Sequence, residues 1–175
     1  MILTRSPLRI SLGGGGTDLP SYYKKYGGLV LSGAIDKYVY VSIHKRFVDK
    51  ILLKYSKIEE VESIDQIQHT IIRESLRLLD IKERNLEIVV LAAIPAGTGL
   101  GSSSSFATAL LRGLHALKKE TVPPQQLAEE ACHIEIDVLK EPIGKQDQYS
   151  SAFGGLNLLE IYSDGGVSVI PLGLC

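Results

Sequence analysis

Residues 2–12 alternate roughly between apolar and polar side chains, which predicts a strand, and the pattern runs directly into four glycines at 13–16. Residues 29–47 are rich in Val, Ile and Tyr, with Tyr38-Val39-Tyr40-Val41-Ser42-Ile43 as the clearest strand, and 51–55 is expected to pair with it. From 64 to 79 the period changes: Ile64, Ile67, Ile71, Ile72, Leu76 and Leu79 recur at helical spacing, and Asp65 stands near the positive end of that helix. Residues 86–94 are an apolar run of strand length that ends at Pro95. Beyond a glycine- and serine-rich stretch, Phe106, Leu110, Leu114 and Leu117 mark one side of a helix, which Pro123-Pro124 stops; a second helix is predicted over 124–139. Residues 140–149 hold Pro142 and Gly144 without apolar periodicity and predict an ordered loop. Residues 156–162 and 167–170 flank Asp164-Gly165-Gly166 and predict a closing hairpin. Mixed strands and helices, with hairpins in the first third, predict an α+β domain over 1–175 rather than a doubly wound parallel sheet.

Composition narrows the function classes. A formal net charge of −1 gives no basic excess for nucleic acid or an acidic membrane surface, so neither is expected as a partner. The first residues lack the charged-then-apolar layout of a signal peptide, and the longest apolar run, within 88–95, is too short to span a bilayer. Cys132 and Cys175 show no CxxC spacing and fit a reducing compartment, so the cytoplasm is the expected location. Cys132 falls in a helical pattern and reads as a buried, inert thiol.

Three segments carry candidate chemistry. The first is Pro95-Ala96-Gly97-Thr98-Gly99-Leu100-Gly101-Ser102-Ser103-Ser104, between a strand and a helix. Glycines let backbone amides approach a ligand, and the following helix start offers unpaired N–H groups, a combination that suits phosphate. No lysine follows the last glycine, so the phosphate charge needs another counterion, most simply Mg²⁺ held by serine hydroxyls and a carboxylate. A plain turn would need one capping serine, not four. The second segment runs from Arg9 to Asp18 through Gly13–Gly16 and Thr17, where Asp18 could accept hydrogen bonds from sugar hydroxyls. The third joins Glu135, on an apolar helical stripe with Ala128, Cys132 and Leu139, to Asp147 in Gly144-Lys145-Gln146-Asp147-Gln148.

These three segments, in this order, resemble the GHMP kinases, a family that includes galactokinase, mevalonate kinase and homoserine kinase. Pro95 to Ser104 is similar to the family's ATP-phosphate loop, Leu8-Arg9 through Thr17-Asp18 to its N-terminal substrate motif, and Glu135, Pro142 and Asp147 to its third region. The segment Gly14 to Tyr23 most resembles the branch acting on D-glycero-D-manno-heptose 7-phosphate, whereas galactokinases carry Glu-His-Thr-Asp where this chain has Gly15-Gly16-Thr17-Asp18. The resemblance implies a fold like ribosomal protein S5 domain 2. It also implies a phosphotransferase using ATP and Mg²⁺ on a sugar phosphate, with the anomeric hydroxyl as acceptor. By the same resemblance, Pro95, Gly97, Gly99, Leu100, Gly101, Ser102, Ser103 and Ser104 would hold the nucleotide. Ser103 (with Ser102 or Ser104 as substitute) and Glu135 would hold the metal, and Gly15, Gly16, Thr17 and Asp18 the substrate. Asp147, as a base or an orienting charge, would act beside Arg9, which should keep it ionised. A fucokinase- or galactokinase-like sugar kinase and a non-catalytic nucleotide- or sugar-binding fragment are the alternatives. Family members carry a C-terminal ferredoxin-like domain that completes the cleft and is absent from 1–175, so these residues read as part of a longer enzyme.

Overall fold

The computed structural model describes residues 1–92, 94 and 98–173. Seven strands form one sheet: β1 Ile2–Gly13, β2 Gly28–Lys45, β3 Ile51–Lys54, β4 Ile58–Val61, β5 Leu86–Ala92, β6 Leu156–Ile161 and β7 Val167–Pro171. The order is β4-β3-β5-β2-β6-β7, with β1 on the other side of β2. All pairings are antiparallel except β3 with β5, so the domain is α+β. The long β2 organises the sheet, because its first half pairs with β6 and its second half with β5.

Five α-helices complete the domain: α1 Pro20–Tyr26, α2 Thr70–Leu78, α3 Ser102–Leu117, α4 Pro124–Cys132 and α5 Gln146–Phe153. Helices α3 and α5 pack on β1 and β2, α4 packs on α3 and α5, and α2 packs on α3. Helix α3 is central: Leu110, Leu111 and Leu114 have no exposed surface and face a layer containing Leu8, Val41 and Ile43. Burying each such side chain contributes about 1.5–3 kcal/mol. No described helix is long and apolar enough to cross a membrane.

Four local expectations differ from this structure. Strand β3 pairs with β4 and β5, not with residues 38–43, because the near-continuously apolar β5 takes the central place between β2 and β3. The helix expected over 64–79 is a 3₁₀ turn, Ile64–Gln66, followed by an extended link and then α2, so Asp65 does not sit at the start of a long helix. The helix over 124–139 is α-helical only to Cys132; His133–Val138 widens into π-helical turns, with the Leu139 amide donating to the Ile134 carbonyl at 2.9 Å. Residues 146–149 are not loop but the opening of α5.

Candidate active site

The reason α5 begins where it does lies 128 positions away. Lys145, at its N-cap, makes no side-chain cap, and the Gln146 amide instead donates to Asp18 Oδ2 at 3.0 Å. Asp18 Oδ1 accepts from the Gly16 amide at 3.0 Å, and the side chain is buried. A carboxylate at a helix start is favoured by the unpaired amides and the dipole. Both oxygens of Asp18 serve backbone amides, and the residue is 1% exposed. Only glycine at 144 permits the approach, since a Cβ there would lie 2.0 Å from Asp18 Oδ2. Asp18 therefore ties the glycine turn to the helix that carries Asp147.

Asp147 occupies the first turn of α5 and meets Arg9 of β1, 138 positions away. Arg9 Nε donates to Asp147 Oδ1 at 2.7 Å, and Nη2 lies 2.6 Å from the same oxygen as an ion pair. Arg9 Nη1 donates to the Gly99 carbonyl at 2.8 Å, and the Arg9 amide donates to the Leu100 carbonyl at 3.1 Å. One arginine thus fixes the aspartate and the glycine-serine loop together. Asp147 Oδ2 has no hydrogen-bond partner among the described residues, and the side chain remains 22% exposed. Burial pushes the Asp147 carboxyl above its ordinary range, and the Arg9 guanidinium pulls it only part of the way back. Arg9 therefore offsets desolvation without outweighing it.

Above this pair lies the start of α3. Its N-cap is Gly101, in the left-handed region (φ 74°), and a Cβ there would stand 3.2 Å from Asp147 Oδ2. Gly99 is also left-handed (φ 73°) with open space beside it. The first amides of α3 have no intrahelical acceptor, so this turn presents N–H groups suited to an anion. Pro95 and Gly97 lie outside the described residues.

The serines after Gly101 divide their hydroxyls. Ser103 donates to Glu135 Oε1 and Ser104 to Glu135 Oε2, each at 2.7 Å, while Gln148 Nε2 donates to Oε2 at 2.8 Å. Ser105 donates to the Pro7 carbonyl at 2.7 Å and contacts Ser151 Oγ at 2.8 Å, binding α3 to β1 and α5. Glu135 comes from the π-helical turn and is 1% exposed; burial raises its carboxyl, opposed by the bonds from Ser103, Ser104 and Gln148. The nearby Asp147 charge raises it further.

This donor set fits a magnesium ion in one particular way. With its proton engaged by Glu135, the exposed Ser103 hydroxyl turns its lone pairs outward. Glu135 Oε1 accepts a single bond, and Gln148 Oε1 has no partner. Among the described residues no three or more His, Cys, Asp or Glu cluster as a metal site.

The remaining substrate-motif residues form the neighbouring wall. Thr17 Oγ1 donates to the Gly14 carbonyl at 2.8 Å and accepts from the Leu29 amide at 3.0 Å, holding the turn on β2. The approach that glycine permits at 14 is the chain's own: a Cβ there would meet the Leu29 carbonyl oxygen at 1.9 Å. Gly16 faces open space, and Gly15 stands beside Ser11 and Gln146.

A cavity of about 590 Å³ adjoins the serines and was not foreseen from the sequence; its walls include Tyr55, His69, Val90, Phe106, Ser102 and Ser103. His69 lies edge-on to Tyr55 at 4.8 Å and 5.2 Å from Phe106, and burial lowers its pKa, favouring a neutral ring. An apolar slot opening at a phosphate-type turn suits a planar base. Its lining comes from β2, the turn after β3, the link before α2, α2, β5 and α3; the sequence marks Phe106 on a helix face and Ser102 and Ser103 in the phosphate-type turn, but not their meeting with Tyr55 and His69. Cys132 is buried, and burial pushes its thiol upward, as expected of an inert cysteine.

Comparison with known proteins agrees with this geometry. Residues 67–155 match the GHMP kinases N-terminal domain. The chain is 31% identical over 182 residues to D-glycero-alpha-D-manno-heptose 7-phosphate kinase of Campylobacter jejuni, covering 98% of this chain and 54% of that protein. It is 29% identical over 203 residues to L-fucokinase/L-fucose-1-P guanylyltransferase of Bacteroides fragilis, covering 96% of this chain and 21% of that one. A D-glycero-D-manno-heptose 1-phosphate kinase structure from Bacteroides thetaiotaomicron superposes with a TM-score of 0.93 at 28% identity, over 100% of this chain and 61% of that one. The chain thus spans about half the length of the heptose kinase from Campylobacter. By its matched domain and its superposition, the chain belongs to the GHMP kinase family, with residues 67–155 matching that family's N-terminal domain.

Proposed function

We propose that the full-length protein is an ATP-dependent kinase that phosphorylates a hydroxyl of a sugar phosphate, with the anomeric hydroxyl of D-glycero-D-manno-heptose 7-phosphate as the favoured acceptor. The observation that carries this reading is the Arg9–Asp147 pair, whose unpartnered Asp147 Oδ2 lies beside Gly101 at the mouth of the phosphate-type turn. The name of the Campylobacter relative, a heptose 7-phosphate kinase, supports the choice of acceptor, and the heptose 1-phosphate kinase structure supports only the heptose class.

In this reading the amides at the start of α3 cradle the nucleotide phosphates, together with the segment containing Pro95 and Gly97, and the cavity beside Phe106 takes the base. Ser103 and Glu135, joined by their hydrogen bond, would hold the Mg²⁺. When bound, the ion would neutralise charge on the β- and γ-phosphates. Asp147 Oδ2 accepts the hydrogen bond of the acceptor hydroxyl and takes its proton as the oxygen bonds to the γ-phosphorus. The bond from that phosphorus to the β-bridging oxygen breaks, and ADP leaves with the electron pair. Arg9 holds Asp147 in place, and its charge stabilises the transferring phosphoryl group. Gly15, Gly16 and Thr17 shape the sugar side of the cleft, while Asp18 positions them against α5. The remainder of the longer protein would close the cleft from water.

The test is turnover of Mg·ATP by full-length protein against a panel of heptose 7-phosphate, hexose phosphates, fucose and galactose. Transfer to heptose 7-phosphate with the highest kcat/KM supports the reading. Preference for an unphosphorylated sugar overturns the acceptor assignment, and no transfer to any of them overturns the kinase.

A further inference from the structure

A second charged cavity lies away from the serine turn, between the bend in β2 near Ala34–Tyr38, the start of β1 and the C-terminal end of α5. It is an open depression of about 480 Å³, and Arg5, Asp36, Tyr38, Arg112, Phe153 and Gly155 line it. Arg112 lies ten residues further along α3 than Ser102 (112 − 102), roughly 15 Å at 1.5 Å per residue.

Its two arginines differ from most others in the protein. Arg9, Arg46, Arg73 and Arg77 each meet a carboxylate within 4 Å, whereas among the described residues Arg5 and Arg112 meet none. Arg112 is half-buried and donates Nη2 to the Ala152 carbonyl at 3.1 Å, which leaves most of its donors without a side-chain acceptor. Burial lowers its pKa, the mark of a cation drawn from water without an opposing charge. Capping the end of α5 accounts for one of its bonds and not for the rest. The Arg5 guanidinium lies over the Tyr38 ring, 4.3 Å from its centre, and so is held at the cavity rim. Gly154 and Gly155 present bare backbone with open space where side chains would project. With Asp36 as the only acid in the lining, the side chains around the cavity carry one net positive charge.

We propose that this cavity is a second ligand site, for a small phosphate monoester whose phosphate group bridges Arg5 and Arg112. Guanidinium forks bind phosphate oxygens bidentately, and two of them lining one cavity favour phosphate over a single carboxylate. Tyr38 and Phe153 offer apolar walls to the organic part of the ligand. The site also touches the last turn of α5, the helix whose first turn carries Asp147. It does not depend on the kinase reading, because none of its residues belongs to that cleft.

The test is isothermal titration of full-length protein with potassium phosphate and, separately, with glucose 6-phosphate, in the presence of saturating Mg·ADP. Arg5→Gln changes an exposed side chain and leaves folding intact; Arg112→Gln, with Arg112→Lys as the conservative partner, probes the buried one. The expected result is saturable binding that weakens at least tenfold in each Arg→Gln variant, is partly restored by Arg112→Lys, and persists in Ser103→Ala. Tighter binding of glucose 6-phosphate than of phosphate would support a monoester as the ligand. Equal binding of the two, binding that survives both Arg→Gln changes, or no binding of either probe to the wild type overturns the proposal.

Discussion

Replacing Arg9 with methionine should destabilise the domain in a manner that depends on pH. The arginine side chain is 10% exposed and its partner Asp147 22%, so the change leaves a largely desolvated carboxylate without its cation. Breaking such a pair costs about 3–5 kcal/mol when fully buried, and residual exposure reduces this. Protonation also sets a ceiling, because a carboxyl with an ordinary pKa near 3.9 can be neutralised at pH 7 for about 4 kcal/mol, at 1.36 kcal/mol per unit. Loss of the bond to the Gly99 carbonyl adds about 1 kcal/mol that does not vary with pH. The expected total at pH 7.5 is therefore about 3–4 kcal/mol, or roughly 6–16 °C in Tm for a domain of this size. Without Arg9 the folded-state pKa of Asp147 rises further above its unfolded value. The penalty is thus present above the unfolded pKa and shrinks as pH falls toward it. Urea denaturation at pH 7.5 and pH 5, with unchanged m values, should show the variant's deficit falling by at least 1.5 kcal/mol at the lower pH. An equal deficit at both values would show that Arg9 acts through packing, and the charge argument would fail.

Three further outcomes follow from the same contacts. Gly144→Ala should destabilise by about 3 kcal/mol in equilibrium denaturation, because its Cβ would displace Asp18 from the Gln146 amide; a loss under about 0.5 kcal/mol would mean that this link does not hold α5. Glu135→Gln should weaken the Mg²⁺ dependence of ATP binding about 10–100-fold while the protein still folds, and an unaltered Mg²⁺ titration would remove Glu135 from the metal site. Since burial raises the Asp147 carboxyl and a base must be ionised, kcat/KM should decline with falling pH at a point above about 4, where a free aspartate would titrate. A profile flat down to pH 4 contradicts that role.

The sequence made most strands and the central helix legible because each rests on local signals, alternation or helical spacing, whereas the short β4 and α1 carry no such pattern long enough to read. What it hid was nonlocal. Helix α5 looks like loop because its cap is Asp18, 128 residues upstream, and no neighbouring residue supplies one. The same bond draws Asp18 inward, a burial that no local signal in the sequence marks. Glu135 was identifiable as a carboxylate on an apolar stripe, but the π-helical widening that brings it to Ser103 and Ser104 left no mark in the spacing. Pairing of β3 with 38–43 was the natural guess from adjacency, and β5 displaced it only because a later apolar strand needed the sheet centre. The cavity beside Phe106 draws on β2, the link before α2, β5 and α3, which no single window of sequence contains.

The central claim is that Asp147 acts on the acceptor hydroxyl rather than on the nucleotide. Asp147→Asn keeps the size of the side chain, removes the base, and stays within reach of Arg9. In full-length protein with Mg·ATP and heptose 7-phosphate, kcat should fall roughly 10²–10⁴-fold. ATP affinity, measured separately by equilibrium titration, should stay within about twofold of the wild type, because the change acts on the transition state. Turnover near the wild-type rate, or a loss of ATP affinity as large as the loss of kcat, would contradict the account.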